Sequence, residues 1–245
     1  MRVWFAIILL FLLATPALAG DFWKDKPYQQ WTKEEVRRVL TESPWARSYT
    51  FFSGGVSFDP RERGDASLAG RDRPEETPMG GGIAGMSPGS GSQPEAPGAK
   101  YFVVWSSAAT VRKALARQQL LRGAATPDEL EQSLKVPLEQ YTITLIGSDL
   151  SPLAIEDQQA LKSKVFLRPK KTKQKFLPDQ VQLERSPDGK QITAAVFVFP
   201  RKTTTGERVI SADEKAVEFV CELKSLSFKV QFDPRAMKVG EEADM

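Results

Sequence analysis

The stretch VEFVCELKSLSFKVQF, residues 217–232, reads as a complete antiparallel hairpin. Its first half sets Val217, Phe219, Cys221 and Leu223 at alternate positions, and its second half does the same with Leu226, Phe228, Val230 and Phe232. Period-two spacing of apolar residues marks a strand with one face in a core. Folding the halves back over Lys224-Ser225 brings Leu223, Cys221, Phe219 and Val217 opposite Leu226, Phe228, Val230 and Phe232. A slip of one residue would turn a whole apolar set to solvent, so this antiparallel register is strongly specified. The turn itself has neither Gly nor Asn.

Working upstream, Pro187-Asp188-Gly189-Lys190 is a second hairpin turn signal. With Asp188-Gly189 as a two-residue loop, Leu183 is expected opposite Ala194 and Val181 opposite Val196. Residues 101–105, Tyr-Phe-Val-Val-Trp, are apolar on both faces, which suits a central strand. Residues 139–147 and the aromatic-rich residues 48–58 complete the expected strands.

Helices punctuate these strands. Thr32 and Glu35 form a capping box, Trp31 can staple onto Val36, and Ser43-Pro44 ends the stripe of Val36, Val39 and Leu40. Ser106 or Ser107 is expected to cap a helix carrying Val111, Leu115 and Leu121 and ending at Gly123. Thr126-Pro127-Asp128-Glu129 is another capping box, opening a helix through Leu130 and Leu134. Ser151-Pro152 starts a third stretch, to about Lys164. The result is an α+β fold: a mainly antiparallel sheet of about six or seven strands with three or four short helices.

The organisation reads as a leader (residues 1–19), an N-terminal helix–strand unit (20–59) packing on the body, an insertion (60–99), an α+β body (100–235) and a C-terminal tail (236–245). Arg2 and an 11-residue apolar run from Val3 to Leu13 precede Ala17-Leu18-Ala19, the small-x-small pattern of a signal peptide cleaved after Ala19. The run is shorter than the roughly 20 residues of a spanning helix. The mature chain, from Gly20, is therefore expected in the periplasm or secreted, with no transmembrane span. Residues 60–99 hold 15 of the 34 Gly and Pro residues, too little apolar surface to offset ordering, and are expected to be a flexible insertion. Gly80-Gly81-Gly82 lacks the Gly-Lys-Ser/Thr ending of a phosphate loop.

Composition excludes whole classes of chemistry. The chain has no His, which removes Ser-His-Asp catalysis and His-based metal sites. Its single Cys, Cys221, can form no internal disulfide and sits on the apolar face of its strand. No cofactor, metal or catalytic residue is indicated. A formal net charge of +3 is too weak a bias to imply a polyanion partner by itself.

The strongest charge feature is residues 162–175, with Lys162, Lys164, Arg168, Lys170, Lys171, Lys173 and Lys175 interleaved with Phe166 and Phe176 and no acid between Asp157 and Asp179. These seven cations suit an anionic surface such as lipid headgroups or envelope polymers. Nucleic acid is not expected as a partner of an exported chain. The competing reading is a solvated connection and edge strand whose lysines block edge-to-edge pairing. Glu218 and Glu222 face away from Cys221 and are read either as paired carboxylates for acid–base chemistry or as cross-strand partners of Lys229 and Gln231. Trp31, Trp45 and Trp105 are read as core, against a carbohydrate or peptide groove.

Lys26-Pro27-Tyr28, Trp31, Glu35-Val36, Leu40 and Ser43-Pro44-Trp45-Ala46 resemble a stretch of uncharacterised exported proteins of acidobacteria. Val104-Trp105-Ser106 with Val111-Arg112-Lys113-Ala114-Leu115 is similar to a second stretch of that group. The resemblance implies export and carries no activity. The expected function is a non-enzymatic envelope or extracellular binding module. The alternatives are a structural or assembly subunit of an envelope complex and a carboxylate-dependent hydrolase.

Overall fold

The computed structural model describes residues 21–52, 55–57, 99–147, 150–224, 226–240 and 242–245. The expected leader, 1–19, lies outside the described residues, as does the insertion as far as residue 98.

The fold is α+β and its strand pairings are antiparallel. Six strands form the large sheet in the order β2 (Gly55–Ser57), β1 (Ala46–Phe52), β3 (Ala99–Trp105), β4 (Gln140–Gly147), β7 (Ile192–Pro200) and β6 (Gln180–Arg185). Residues 101–105 occupy the central strand expected of them. A smaller sheet orders β5 (Val165–Pro169), β8 (Val217–Glu222) and β9 (Ser227–Phe232), and β10 (Lys238–Val239) pairs with β11 (Glu242–Ala243).

The opening hairpin has the register its apolar alternation requires: Val217, Phe219 and Cys221 lie opposite Phe232, Val230 and Phe228. All six side chains are buried, and they close over the large sheet. Phe219 meets Phe197 at 5.5 Å between ring centroids and Phe199 at 6.3 Å, Phe228 meets Tyr49 at 5.5 Å, and Phe232 meets Trp105 at 5.3 Å. The aromatic faces of the two sheets are thus the core. The Tyr49 hydroxyl donates to the Lys229 carbonyl, and Arg47 Nε donates to the Gln231 carbonyl at 3.0 Å. Two side chains of the large sheet thereby occupy the free edge of β9, a position otherwise open to strand addition.

The second hairpin departs from expectation. Arg185 pairs with Ile192 as the turn signal predicts, but Thr193 is an extra residue, and beyond it Leu183 lies opposite Ala195 and Val181 opposite Phe197. The bulge shifts the register by one. The shift sets Val181 against a fully buried ring in place of the half-buried Val196. The loop also spans four residues rather than two. Ser186 N donates to the Gln191 carbonyl, and Gly189 takes the left-handed φ of 70° that only glycine adopts cheaply.

The helices are α1 (Phe22–Asp25), α2 (Lys33–Thr41), α3 (Ala109–Arg122), α4 (Pro127–Lys135), α5 (Ser151–Ala154) and α6 (Gln158–Lys164). Both expected capping boxes form, on Thr32 with Glu35 and on Thr126 with Glu129. Trp31, Trp45 and Trp105 are buried, as the core reading has it. Half-buried Trp23 packs edge-on to Trp45.

Three helical expectations need correction. Neither Ser106 nor Ser107 caps α3; its cap residue is Ala108, and the Asp244 carboxylate accepts hydrogen bonds from Ala109 N and Thr110 N. Leu115 and Leu121 are exposed, because α3 buries Thr110, Val111 and Ala114 instead. The stretch from Ser151 breaks in two at Asp157, which adopts an extended backbone and caps α6 by accepting from Ala160 N. The last residues are anchored, with Trp45 Nε1 donating to the Asp244 carbonyl at 2.6 Å and Arg201 to that of Met245.

Candidate functional site: the basic segment and the sheet end it forms

Residues 162–175 run from the C-terminal half of α6 through β5 and a tight turn. Val165, Phe166 and Leu167 are buried, so an apolar run makes the strand while the flanking cations remain at its ends and on its outer face. The chain then folds back: Leu167 N donates to the Phe176 carbonyl at 2.9 Å and Phe176 N to the Leu167 carbonyl at 2.8 Å. This return covers part of the edge that lysines alone were expected to protect.

The structure separates the seven cations into two kinds. Arg168 Nε donates to Glu218 at 2.7 Å, Lys171 Nζ to Asp213 at 2.6 Å, and Lys175 Nζ stands 3.7 Å from Glu222. Lys175 Nζ also lies 4.1 Å from the centroid of the Phe166 ring, so the ring is buried beneath a charged side chain. Lys162, Lys164, Lys170 and Lys173 form no ion pair with any described residue. Of these four, Lys170 and Lys173 are exposed and Lys162 and Lys164 are half-buried at the C-terminal end of α6, where positive charge is favoured.

Glu218 serves the sheet. Lys229 Nζ approaches its second oxygen at 3.1 Å, completing an Arg168–Glu218–Lys229 bridge across all three strands. Burial pushes its carboxyl up, but the hydrogen bonds and charges of Arg168 and Lys229 outweigh that and hold it below the usual carboxylate range. A general acid working near neutral pH requires the opposite shift. Glu222 faces Lys175. Cys221 is buried, donates to the Leu226 carbonyl, and burial pushes its thiol up to about 12.

The turn after β5 is held from both sides. Lys173 N donates to the Pro169 carbonyl at 2.9 Å, and Lys173 takes a left-handed φ of 56°. Lys170 N donates to the Ala216 carbonyl at 2.9 Å. The buried Glu214 carboxylate accepts from Lys171 N at 3.3 Å, Lys215 N at 3.0 Å and Ala216 N at 3.4 Å. A carboxylate facing main-chain amides thus clasps the turn to the loop before β8. Sequence reasoning missed Glu214, because Ser211-Ala212-Asp213-Glu214-Lys215 reads as an ordinary solvated loop and its partner lies 43 positions away. Lys215 was missed too: it is exposed, beside the turn, and has no ion pair among the described residues.

Among the described residues no three ligating side chains gather as a metal would require, and no helix is long and apolar enough to cross a membrane. No family model, curated protein or solved structure matches the chain.

Proposed function

We propose that the chain is an exported, non-enzymatic envelope or extracellular binding module that contacts anionic surfaces through its basic segment. The carrying observation is that exposed Lys170 and Lys173 stand at the tip of a fastened turn and form no ion pair with any described residue. Long-range attraction to an anionic surface needs only such unpaired charge, at about 1 kcal/mol per lysine near the surface. The leader pattern at residues 1–19 supports export, and N-terminal sequencing of the protein recovered outside the inner membrane is expected to begin at Gly20.

The test is co-sedimentation of residues 20–245 with envelope membranes at low salt. Binding that is lost when Lys170, Lys171, Lys173 and Lys175 are all changed to Glu supports the reading. Absence of binding at low salt refutes it.

An assembly role has one observation in its favour. The outer face of the large sheet carries half-buried Phe102, Val196 and Val198 beside exposed Ile146. Apolar surface of this kind marks contact sites on soluble proteins when it is contiguous and large. Analytical ultracentrifugation distinguishes this reading: self-association that Ile146→Asp abolishes would favour it.

A further inference from the structure

We propose that the anionic partner is the headgroup layer of a lipid bilayer, and that its contact is the end of the small sheet, made by Lys170 and Lys173 on the turn and Lys215 on the adjoining loop. This rests on the anionic-surface reading above and replaces the linear segment with a site built from two stretches of chain.

Three features carry it. First, Lys170, Lys173 and Lys215 are exposed and form no ion pair with any described residue, whereas Arg168 and Lys175 are held by Glu218 and Glu222 along the sheet. Two acids of the adjoining loop are engaged: Asp213 by Lys171 and Ser211, which hold its carboxyl down to about 2, and Glu214 by main-chain amides. Second, the two stretches are fastened together by the Glu214 clasp and the Lys170 N to Ala216 bond, so the main chain holds the three lysines at one end of the small sheet. Third, the tip sequence Lys170-Lys171-Thr172-Lys173-Gln174 has no apolar side chain to insert, so the contact lies on the headgroups without entering the acyl layer.

Lys162 and Lys164, the other pair with no ion pair among the described residues, are too distant to share an end-on contact. Lys164 and Lys170 are separated by the length of β5, roughly 20 Å at about 3.3 Å per residue. Surface potential decays over a Debye length, about 8 Å at physiological ionic strength.

The experiment measures partition of residues 20–245 onto vesicles of phosphatidylcholine containing phosphatidylglycerol, with pure phosphatidylcholine as control. Lys170→Gln/Lys173→Gln/Lys215→Gln is expected to weaken binding about 150-fold, from about 1 kcal/mol per lysine. Its far-UV spectrum and melting should stay those of the wild type, since all three side chains are exposed. Lys162→Gln/Lys164→Gln should change binding less than about twofold, and Asp213→Asn, which releases Lys171, should tighten it about fivefold. Wild-type binding that survives the triple change, or that Lys162→Gln/Lys164→Gln weakens as much, would overturn the sheet-end site and leave the anionic-surface reading standing. A wild type that ignores phosphatidylglycerol vesicles at low salt would overturn the lipid contact, and one that also fails to sediment with envelope membranes would overturn both.

Discussion

Replacing Glu214 by Ala separates a structural clasp from a mere surface charge, because the two views predict opposite signs. The Glu214 carboxylate makes one hydrogen bond of ordinary length, 3.0 Å from Lys215 N, and longer ones from Lys171 N and Ala216 N. A hydrogen bond to a charged group contributes about 1.5–3 kcal/mol net, and a buried donor left bare costs about 1 kcal/mol or more. Lys171 and Lys215 are exposed, so water can replace the carboxylate at their amides, but Ala216 is buried. The substitution should therefore cost about 2 kcal/mol, read as a lower urea midpoint and a melting temperature reduced by roughly 4–8 °C for a chain of this size. Glu214→Gln keeps an acceptor oxygen and should lose about half as much. On anionic vesicles, removing a negative charge beside Lys170, Lys173 and Lys215 would by charge counting tighten binding. Loss of the clasp lets the turn and the loop separate, so binding should weaken instead. An unchanged urea midpoint together with tighter vesicle binding would refute the clasp.

Three further outcomes follow from the packing. Phe219→Ala removes the ring that joins Phe197, Phe199 and Phe228 and should destabilise by about 4 kcal/mol in urea unfolding; a loss below about 1 kcal/mol would show that the sheets do not close on that ring. Asp244→Ala strips α3 of its cap and should cost about 1–2 kcal/mol, with Asp244→Asn losing less, and equal losses from both would count against a capping role. Burial raises the Cys221 thiol to about 12, so folding favours its protonated form. Its contribution is complete below the unfolded value of about 8.5 and declines toward about 12, so wild type should lose stability relative to Cys221→Ala across that window. Native protein at pH 8 should likewise resist thiol reagents that label it once unfolded, and rapid native labelling would contradict the burial.

The parts of this fold that were legible in the sequence are those governed by local chemistry. The pairing of residues 217–232 follows from four apolar partners whose order tolerates no slip, and the caps of α2 and α4 follow from side chains three residues apart. The bulge at Thr193 was hidden because both registers align apolar residues, and the choice between them depends on which β7 face meets Phe219. Asp244 at the head of α3 lies more than 130 residues from the amides it caps, so no local pattern announces it. The basic segment was visible as charge, but charge alone does not distinguish Lys175, lying over Phe166 beside Glu222, from Lys173. That distinction needs the acids of β8 and the loop before it, which only the folded chain brings to the site.

The most direct measurement is the affinity of residues 20–245 for phosphatidylglycerol-containing vesicles across a salt series. A contact made by unpaired lysines on a headgroup layer should bind at low ionic strength, fall steeply toward physiological salt and vanish on neutral vesicles. Binding that is unaffected by salt, or equal on neutral vesicles, would contradict an electrostatic sheet-end contact and turn attention to the apolar outer face of the large sheet.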